Sequence, residues 1–268
     1  MDRAPPTFSI ITVCLNAERT LGRTLESMQA QTCRDFEYLV VDGGSRDGTL
    51  DLIRGSGLPV SVVSEPDRGI SDAFNKGVQR ARGEWLGFLN ADDWYEPDTL
   101  AVAARAAEHH PDWDVICGRQ RYFHNGRPTA TFDVNPALLR SFMSVNHIAS
   151  FSRRALYQRF GGFREHYRYA MDYELYLRFF CGGVRFGRVD AVLANMGLGG
   201  ASDRHWRRSI REVRQAQLDN GVNWLAAQRR YLFQLSKGGV RRAAERLGAR
   251  GLVDLYRGRL ARVRRSLD

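Results

Sequence analysis

Acidic and amide side chains cluster in the segment FLNADDWYEP, residues 88–97, directly after an apolar run. Residues 85–89 predict a buried strand, and Asn90, Asp92 and Asp93 follow it. Neighbouring carboxylates repel one another unless a cation or hydrogen-bond donors offset their charge. Carboxylate and amide oxygens suit Mg²⁺ or Mn²⁺, which complete their coordination with water and substrate phosphates. The segment therefore predicts a divalent ion held against a diphosphate. In the alternative interpretation, Asp92 or Asp93 caps a helix that starts near Pro97.

Polar side chains also follow three other predicted strands. They are Asn16 and Glu18 after residues 8–15, Asp42 and Ser45 after residues 38–41, and Glu65 and Asp67 after residues 60–64. Ligands bind parallel α/β sheets beyond the carboxyl ends of the strands, which lie at one edge. Each cluster alone is also compatible with a helix cap or a turn. Together the four clusters predict one binding site.

The elements that must position these side chains alternate between strand and helix. Apolar runs at residues 8–15, 38–41, 60–64, 85–89 and 115–118 predict strands, and residues 17–31, 70–82 and 98–109 have helical spacing. This order predicts an α/β fold with a mostly parallel sheet flanked by helices. Further along, we expect a hairpin turning at Asn125-Gly126, a strand near residues 147–151, a helix at 170–181 and one or two strands within 184–196. Basic helices from Arg207 are expected to break at Gly221 and at Gly238-Gly239.

Charge is distributed unevenly along the 268 residues, whose formal net charge is +10. From Arg204 to Asp268 there are 17 Lys and Arg against 5 Asp and Glu, whereas residues 1–203 have 23 against 25. The four cysteines are scattered without a CxxC pair, which favours reduced thiols in a cytosolic protein. The apolar run at residues 8–15 is too short for a signal peptide or a membrane span. We therefore expect a cytoplasmic protein with a basic C-terminal segment.

Several enzyme classes are excluded by their missing motifs. The glycine-rich DGGSRDG follows the second predicted strand and lacks the GxGxxG spacing of dinucleotide-binding folds. The sequence contains no GxxxxGK[ST], no GxSxG and no HExxH. A P-loop nucleotidase, a serine hydrolase and a zincin are therefore not supported.

Residues 8–100 resemble a family 2 glycosyltransferase of GT-A fold, of the type that assembles bacterial polysaccharides and cell walls. The resemblance is carried by SIITVCLNAERTL, VVDGGSRDGT, SEPDRGISDAFNKG and GEWLGFLNADDWY, and later by VNHIASF, MDYELYLR and GLGGAS. It extends over about residues 7–203. It implies a Rossmann-like domain at 1–205, with a nucleotide-sugar half at 1–118 and an acceptor half at 119–205. Residues 206–268 then form a basic helical extension.

The resemblance also implies a nucleotide-sugar donor and a bound Mn²⁺ or Mg²⁺. Asp42 would contact the base, and Lys76 would neutralise phosphate unless it is a solvated helix lysine. Asn90, Ala91 and Asp92 occupy the position of the DxD motif, where this sequence departs from the family in having Asn90 as its first residue. Asp92 would bind the metal, with Asp93 as a second acid. The remaining donor-site candidates are Thr12, Asn16, Glu18, Ser45 and Asp67.

MDYELYLR corresponds to the family's acidic segment that supplies the catalytic base. Asp172 and Glu174 project to nearly opposite sides of a helix, so only one of them can face the sugar. Asp172 aligns with the base, and Glu174 can pair with Arg178 four residues later. A single base without a covalent nucleophile implies inversion at the anomeric carbon. His147, Glu174 and Arg178 are candidates for the acceptor side, and a structural role for His147 is the alternative.

The basic tail supports three hypotheses. Residues 224–235, WLAAQRRYLFQL, mix apolar and basic side chains as interfacial helices do. In the first hypothesis, these C-terminal helices lie against the anionic inner surface of the cell membrane. The acceptor would then be a glycan or a lipid-linked glycan. The tail could instead pack on the catalytic domain, or bind nucleic acid, which we do not expect because no recognition motif is present. A non-catalytic nucleotide-sugar-binding protein is the alternative for the whole chain.

Overall fold

A computed structural model describes residues 4–124, 126–197, 205–246 and 264–265. Its strands are β1 (Phe8–Cys14), β2 (Phe36–Asp42), β3 (Val60–Ser64), β4 (Trp85–Asn90), β5 (Trp94–Tyr95), β6 (Val115–His124), β7 (Arg127–Phe132), β8 (Ser150–Arg153), β9 (Phe186–Gly197) and β10 (Arg264–Arg265). Its helices are α1 (Leu21–Gln29), α2 (Thr49–Gly55), α3 (Ile70–Arg80), α4 (Thr99–His109), α5 (Arg154–Phe160), α6 (Met171–Cys181), α7 (Trp206–Asp219) and α8 (Trp224–Arg246). A short 3₁₀ turn covers His147–Ala149.

The first half of the sheet is parallel, in the order β3-β2-β1-β4. Every residue of β1 is buried, because helices cover both faces of the sheet and each face needs apolar side chains. Ile11 and Val13 pack on the face covered by α3, whereas Phe8 and Ile10 pack on the face covered by α1 and α4. The α/β fold predicted from the sequence is confirmed, and the carboxyl ends of these four strands lie at one edge.

The second half of the sheet is mixed. β8 runs antiparallel to both β4 and β6, and β9 runs parallel to β6. The predicted hairpin is confirmed by the antiparallel pairing of β6 and β7. Its Gly126 has φ +74°, a conformation that favours glycine, and Asn125 lies outside the described residues. The region predicted to hold one or two strands is the single strand β9, and only Gly197 of the predicted glycine loop is described.

Two helices follow the sheet. The predicted break at Gly221 is confirmed, since this residue has φ +73° between α7 and α8. The predicted break at Gly238-Gly239 is wrong, because α8 continues through both residues to Arg246. Gly238 lies under the Trp206 ring, where an added Cβ would be 2.4 Å from the nearest ring atom. This close packing offsets the low helix propensity of glycine. Within the described residues, no helix is long and apolar enough to span a bilayer.

Candidate active site

The turn after β4 gives its two acids different surroundings. The Asn90 carbonyl accepts a hydrogen bond from the Asp93 amide at 3.2 Å, which closes a four-residue turn. Asp92 is exposed, whereas Asp93 and Ala91 are buried. Asp93 Oδ2 accepts a hydrogen bond from Asn90 Nδ2 at 2.9 Å. Burial raises the pKa of Asp93 well above its usual value, and the nearby charge of Asp92 adds to this effect. Of the two acids, only Asp92 presents an exposed carboxylate.

The surroundings of Asp92 fit a divalent ion that is bound together with a diphosphate. No residue in the described ranges donates a hydrogen bond to its carboxylate. The same ranges contain no group of three or more His, Cys, Asp or Glu residues arranged to hold a metal. Mg²⁺ commonly uses only one or two protein carboxylates and takes its other ligands from water and phosphate. Asp92 therefore suits this mode, and a ligand role for the inward-facing Asp93 stays a prediction.

The loops after β1 and β2 are joined by hydrogen bonds at the same edge of the sheet. The Asn16 amide donates to Ser45 Oγ at 2.7 Å, and Asn16 Oδ1 accepts from the Arg46 amide at 2.9 Å. Glu18 Oε2 accepts from the Gly48 amide at 3.1 Å. Asn16 adopts φ 49°, a left-handed conformation that asparagine tolerates better than most residues. Asn16, Glu18 and Ser45 are therefore brought together, as the sequence predicts.

Asp42 organises the loop that follows β2. Its buried carboxylate accepts hydrogen bonds from the backbone amides of Gly44 and Ser45 and from the hydroxyls of Ser45 and Ser64. Burial raises its pKa, but the hydrogen bonds from Ser45 and Ser64 outweigh burial and hold the pKa below its ordinary value. The carboxylate is thus an anchor of the loop in this structure, and its predicted contact with the base stays a prediction.

Asp67 lies at the same edge as Asp42. Its Oδ1 accepts a hydrogen bond from the Gly69 amide at 2.8 Å. A Cβ added at Gly43 would be 2.4 Å from Asp67 Oδ2, so the loop after β2 needs glycine to approach this acid. The loops after β2 and β3 are therefore in contact, as expected for a shared site.

The side chains of Thr12 and Lys76 have partners within the protein, so they are less available to a ligand than the sequence suggests. Thr12 is fully buried, and its hydroxyl accepts a hydrogen bond from the Tyr38 hydroxyl at 3.0 Å. Lys76 Nζ contacts the Pro66 carbonyl at 2.8 Å and Glu65 at 3.1 Å, so it ties α3 to the loop after β3. Their roles in lining the nucleotide pocket and neutralising phosphate stay predictions.

A chain of hydrogen bonds connects the tip of β4 to the first turn of α6. Asn90 Nδ2 lies 3.2 Å from His147 Nε2, and His147 Nδ1 lies 3.1 Å from Asp172 Oδ2. Asp172 Oδ1 accepts a hydrogen bond from the Tyr173 amide at 2.8 Å. His147 is buried, while the Asp172 side chain is 24% exposed. The fold thus brings the predicted base next to the turn that carries Asp92, although 80 positions separate them in sequence.

Glu174 lies in a different environment from Asp172. It is fully buried, and its two oxygens accept hydrogen bonds from Arg178 at 3.0 and 2.9 Å. Arg164 Nη1 lies 3.1 Å from the same carboxylate. Arg178 also donates to the Gly162 carbonyl at 2.8 Å. The predicted pairing of Glu174 with Arg178 is confirmed, and their role at the acceptor side stays a prediction.

Sequence reasoning missed Glu212 on α7. Its Oε2 accepts three backbone N–H groups, from Arg168 at 3.0 Å, Tyr169 at 2.7 Å and Ala170 at 3.0 Å. Consecutive N–H groups form an anion-binding concavity, and here the anion is a side chain of the same protein. The only signal in the sequence is the presence of an acid within a strongly basic segment. Glu212 holds the segment that leads into Asp172.

Parallel strands, flanking helices and acids at one edge of the sheet are features of the GT-A fold, which solved structures similar to this chain share. The architecture is similar to that of the mannosyltransferase PcManGT from Pyrobaculum calidifontis, solved in complex with GDP-Man and Mn²⁺. That match has a TM-score of 0.65 and 19% identity, and covers 95% of this chain and 83% of that one. S. aureus TarS 1–349, solved in complex with UDP-GlcNAc, matches with a TM-score of 0.63 and 22% identity over 85% of this chain and 71% of that one.

The chain belongs to glycosyl transferase family 2, whose model matches residues 9–192. It is 40% identical over 187 residues to a PGL/p-HBAD biosynthesis glycosyltransferase of Mycobacterium bovis, covering 66% of this chain and 71% of the relative. An uncharacterized glycosyltransferase of Mycobacterium tuberculosis is 34% identical over 183 residues, covering 65% of this chain and 68% of the relative. The family resemblance identified from the sequence is confirmed.

Proposed function

We propose that this enzyme transfers a sugar from a nucleotide-diphosphate sugar to a hydroxyl of a glycan or lipid-linked glycan, with inversion. Asp172 is the base, and Asp92 holds Mn²⁺ or Mg²⁺. The main support is the hydrogen-bond chain through Asn90 and His147, which brings a partly exposed carboxylate beside the turn with the exposed acid. The complexes of PcManGT with GDP-Man and TarS with UDP-GlcNAc support this class of donor.

The surroundings of Asp172 suit a general base. The Tyr173 amide holds one carboxylate oxygen and His147 holds the other, so the side chain has a fixed orientation. A free lone pair can accept the proton of the acceptor hydroxyl while that oxygen attacks the anomeric carbon. Attack from the face opposite the leaving diphosphate inverts the configuration. When bound, the divalent ion offsets the negative charge that develops on the leaving group.

A transfer assay tests the roles of both acids. We would screen nucleotide-sugars, including UDP-GlcNAc and GDP-Man, with Mn²⁺ and candidate acceptors, and determine the anomeric configuration of the product by NMR. Removal of a general base typically lowers the rate by about 10²–10⁴-fold, so Asp172→Asn should lower kcat to that extent while donor affinity is retained. Asp92→Asn should raise the Mn²⁺ concentration needed for half-maximal rate, and EDTA should stop transfer.

Asp112→Asn is the matched control, because Asp112 is 56% exposed and its ion pair with Arg185 lies on the surface. Unchanged kcat in Asp172→Asn would remove the proposed base. Full turnover in EDTA would show that transfer does not require a metal ion. A product with retained configuration would exclude the single-displacement route.

The exposed apolar side chains of α8 support a membrane location for the acceptor. Leu225, Leu232, Phe233 and Val240 are each more than half exposed. Their spacing of seven and eight residues places them on one side of the helix. The segment from Arg204 onward also has 17 basic against 5 acidic residues. We infer that this face docks on an anionic lipid surface, because apolar insertion and electrostatic attraction act together there.

Co-sedimentation with vesicles tests this docking. Vesicles of phosphatidylcholine with phosphatidylglycerol should retain the protein at low salt, and retention should fall as salt rises. Leu232→Ser combined with Phe233→Ser should remove retention, because each side chain would contribute about 1.5–3 kcal/mol if fully buried in lipid. Val62→Ser on β3, where Val62 is 41% exposed, is the matched control. If anionic vesicles fail to retain the native protein, α8 is not a membrane-docking helix.

A further inference from the structure

The side-chain nitrogen of Asn90 fixes the proton position on His147. Asn90 Nδ2 contacts both Asp93 Oδ2 at 2.9 Å and His147 Nε2 at 3.2 Å. An amide NH₂ group has two donors and accepts no hydrogen bond. With the amide oriented in this way, His147 Nε2 is the acceptor, and in the neutral ring the proton lies on Nδ1. Nδ1–H then donates to Asp172 Oδ2 at 3.1 Å.

We propose that His147 is a positioning residue for Asp172, and that Asn90 acts through it by selecting the Nδ1–H tautomer. The inference rests on the proposed function of Asp172 as the base. A donor at Oδ2, together with the Tyr173 amide at Oδ1, prevents rotation of the carboxylate. A base that is fixed relative to the donor-binding turn holds the acceptor oxygen in line with the anomeric carbon.

The packing of His147 favours this role over a direct contact with the acceptor. The side chain is only 9% exposed, and both ring nitrogens have partners. Phe74 lies edge-on to the ring, with centroids 6.3 Å apart. A buried ring with two partners cannot offer a free nitrogen to a sugar hydroxyl unless one of these bonds breaks.

The same geometry explains the amide at position 90. An aspartate there would place a second carboxylate against Asp93 and would offer His147 Nε2 an acceptor in place of a donor. The donor that selects the Nδ1–H tautomer would then be lost, because a carboxylate at this position favours a proton on Nε2. We therefore expect Asn90→Asp, which restores the acid of the family's DxD pattern, to impair the enzyme.

Two isosteric variants of His147 provide the kinetic test. The amide of asparagine can stand near the position of Nδ1, whereas the amide of glutamine reaches the position of Nε2. His147→Asn should keep kcat within a few-fold. His147→Gln should lower kcat by up to about 100-fold at an unchanged donor KM, because a displacement of 1 Å can cost that much. Equal kcat values for the two variants, or an unchanged kcat in His147→Gln, would overturn the inference.

The tautomer can be measured without any substrate. Long-range ¹H–¹⁵N NMR spectra of protein labelled at its six histidines distinguish Nδ1–H from Nε2–H rings, and His147→Asn identifies the signal of His147. Native protein should show a ring protonated at Nδ1 alone, and Asn90→Asp should show a proton on Nε2. An Nε2–H ring in the native protein overturns the inference even if transfer is normal. Absence of transfer with every donor counts instead against the proposed function, and the NMR result still decides the tautomer.

Discussion

The buried Glu174 provides the sharpest stability test. Glu174 is 0% exposed and is held by Arg178 on both oxygens and by Arg164 on one. Glu174→Gln removes the negative charge that faces Arg178, whereas Arg164 keeps Asp219 at 3.9 Å. Breaking a buried ion pair by removing one partner typically costs about 3–5 kcal/mol.

We expect the lower end of that range, about 3 kcal/mol, because glutamine keeps one carbonyl acceptor and Arg178 keeps its bond to the Gly162 carbonyl. For chains of 150–250 residues, 1 kcal/mol corresponds to about 2–4 °C in Tm. The expected decrease in Tm is therefore about 6–12 °C. Arg178 is only 11% exposed, so water can replace little of the lost interaction.

Calorimetry and urea unfolding measure this cost, and the transfer assay is run well below the Tm of the variant. Asp112→Asn is the matched control, since its partner Arg185 is 68% exposed and such surface pairs contribute about 1 kcal/mol or less. If Glu174→Gln lost kcat/KM while keeping its Tm, the buried-pair reasoning would be refuted. The predicted role at the acceptor side would then be supported.

Two further predictions concern packing and thiol reactivity. Gly238→Ala should destabilise the protein by about 1–3 kcal/mol, because its Cβ would overlap the Trp206 ring. Gly239→Ala should stabilise it by up to about 1 kcal/mol, because among the described residues no atom outside the backbone of α8 lies within 4 Å of the added Cβ. Equal Tm shifts would contradict the packing of α7 on α8. Burial and the Asp42 charge raise the pKa of Cys14 to about 12. At pH 8 a disulfide reagent should therefore label the half-buried Cys33 in the folded protein and label Cys14 only after unfolding, as quantified by mass spectrometry. Rapid labelling of Cys14 in the folded protein would contradict its burial.

Much of the fold could be predicted because it depends on local patterns. The apolar runs that became β1 and β4 are continuous, as expected for strands covered on both faces. The clustering of polar groups at one edge followed from strand direction alone. The break predicted at Gly238 failed because a ring 32 residues earlier in the chain, Trp206, compensates for the glycine. No local pattern carries that contact.

The finer arrangement of the site could not be predicted from the sequence. Asp92 and Asp93 are adjacent acids, and only the geometry of the turn makes one exposed and the other buried. The link from Asn90 through His147 to Asp172 joins three separate segments, so no spacing in the chain reveals it. The pairing of Glu174 with Arg178 could be predicted because it lies within one helix.

The carboxylate of Glu212 has a practical consequence for where this protein can be shortened. Residue 205 is an attractive place to end an expression clone, because the family match stops at residue 192 and the composition changes soon afterwards. Such a truncation would remove the acceptor of the Arg168, Tyr169 and Ala170 amides. The segment that leads into Asp172 would then have three backbone N–H groups without this acceptor. The truncation would also uncover the core side chains that pack against Ala216, so it should lower stability as well as disturb the position of the base.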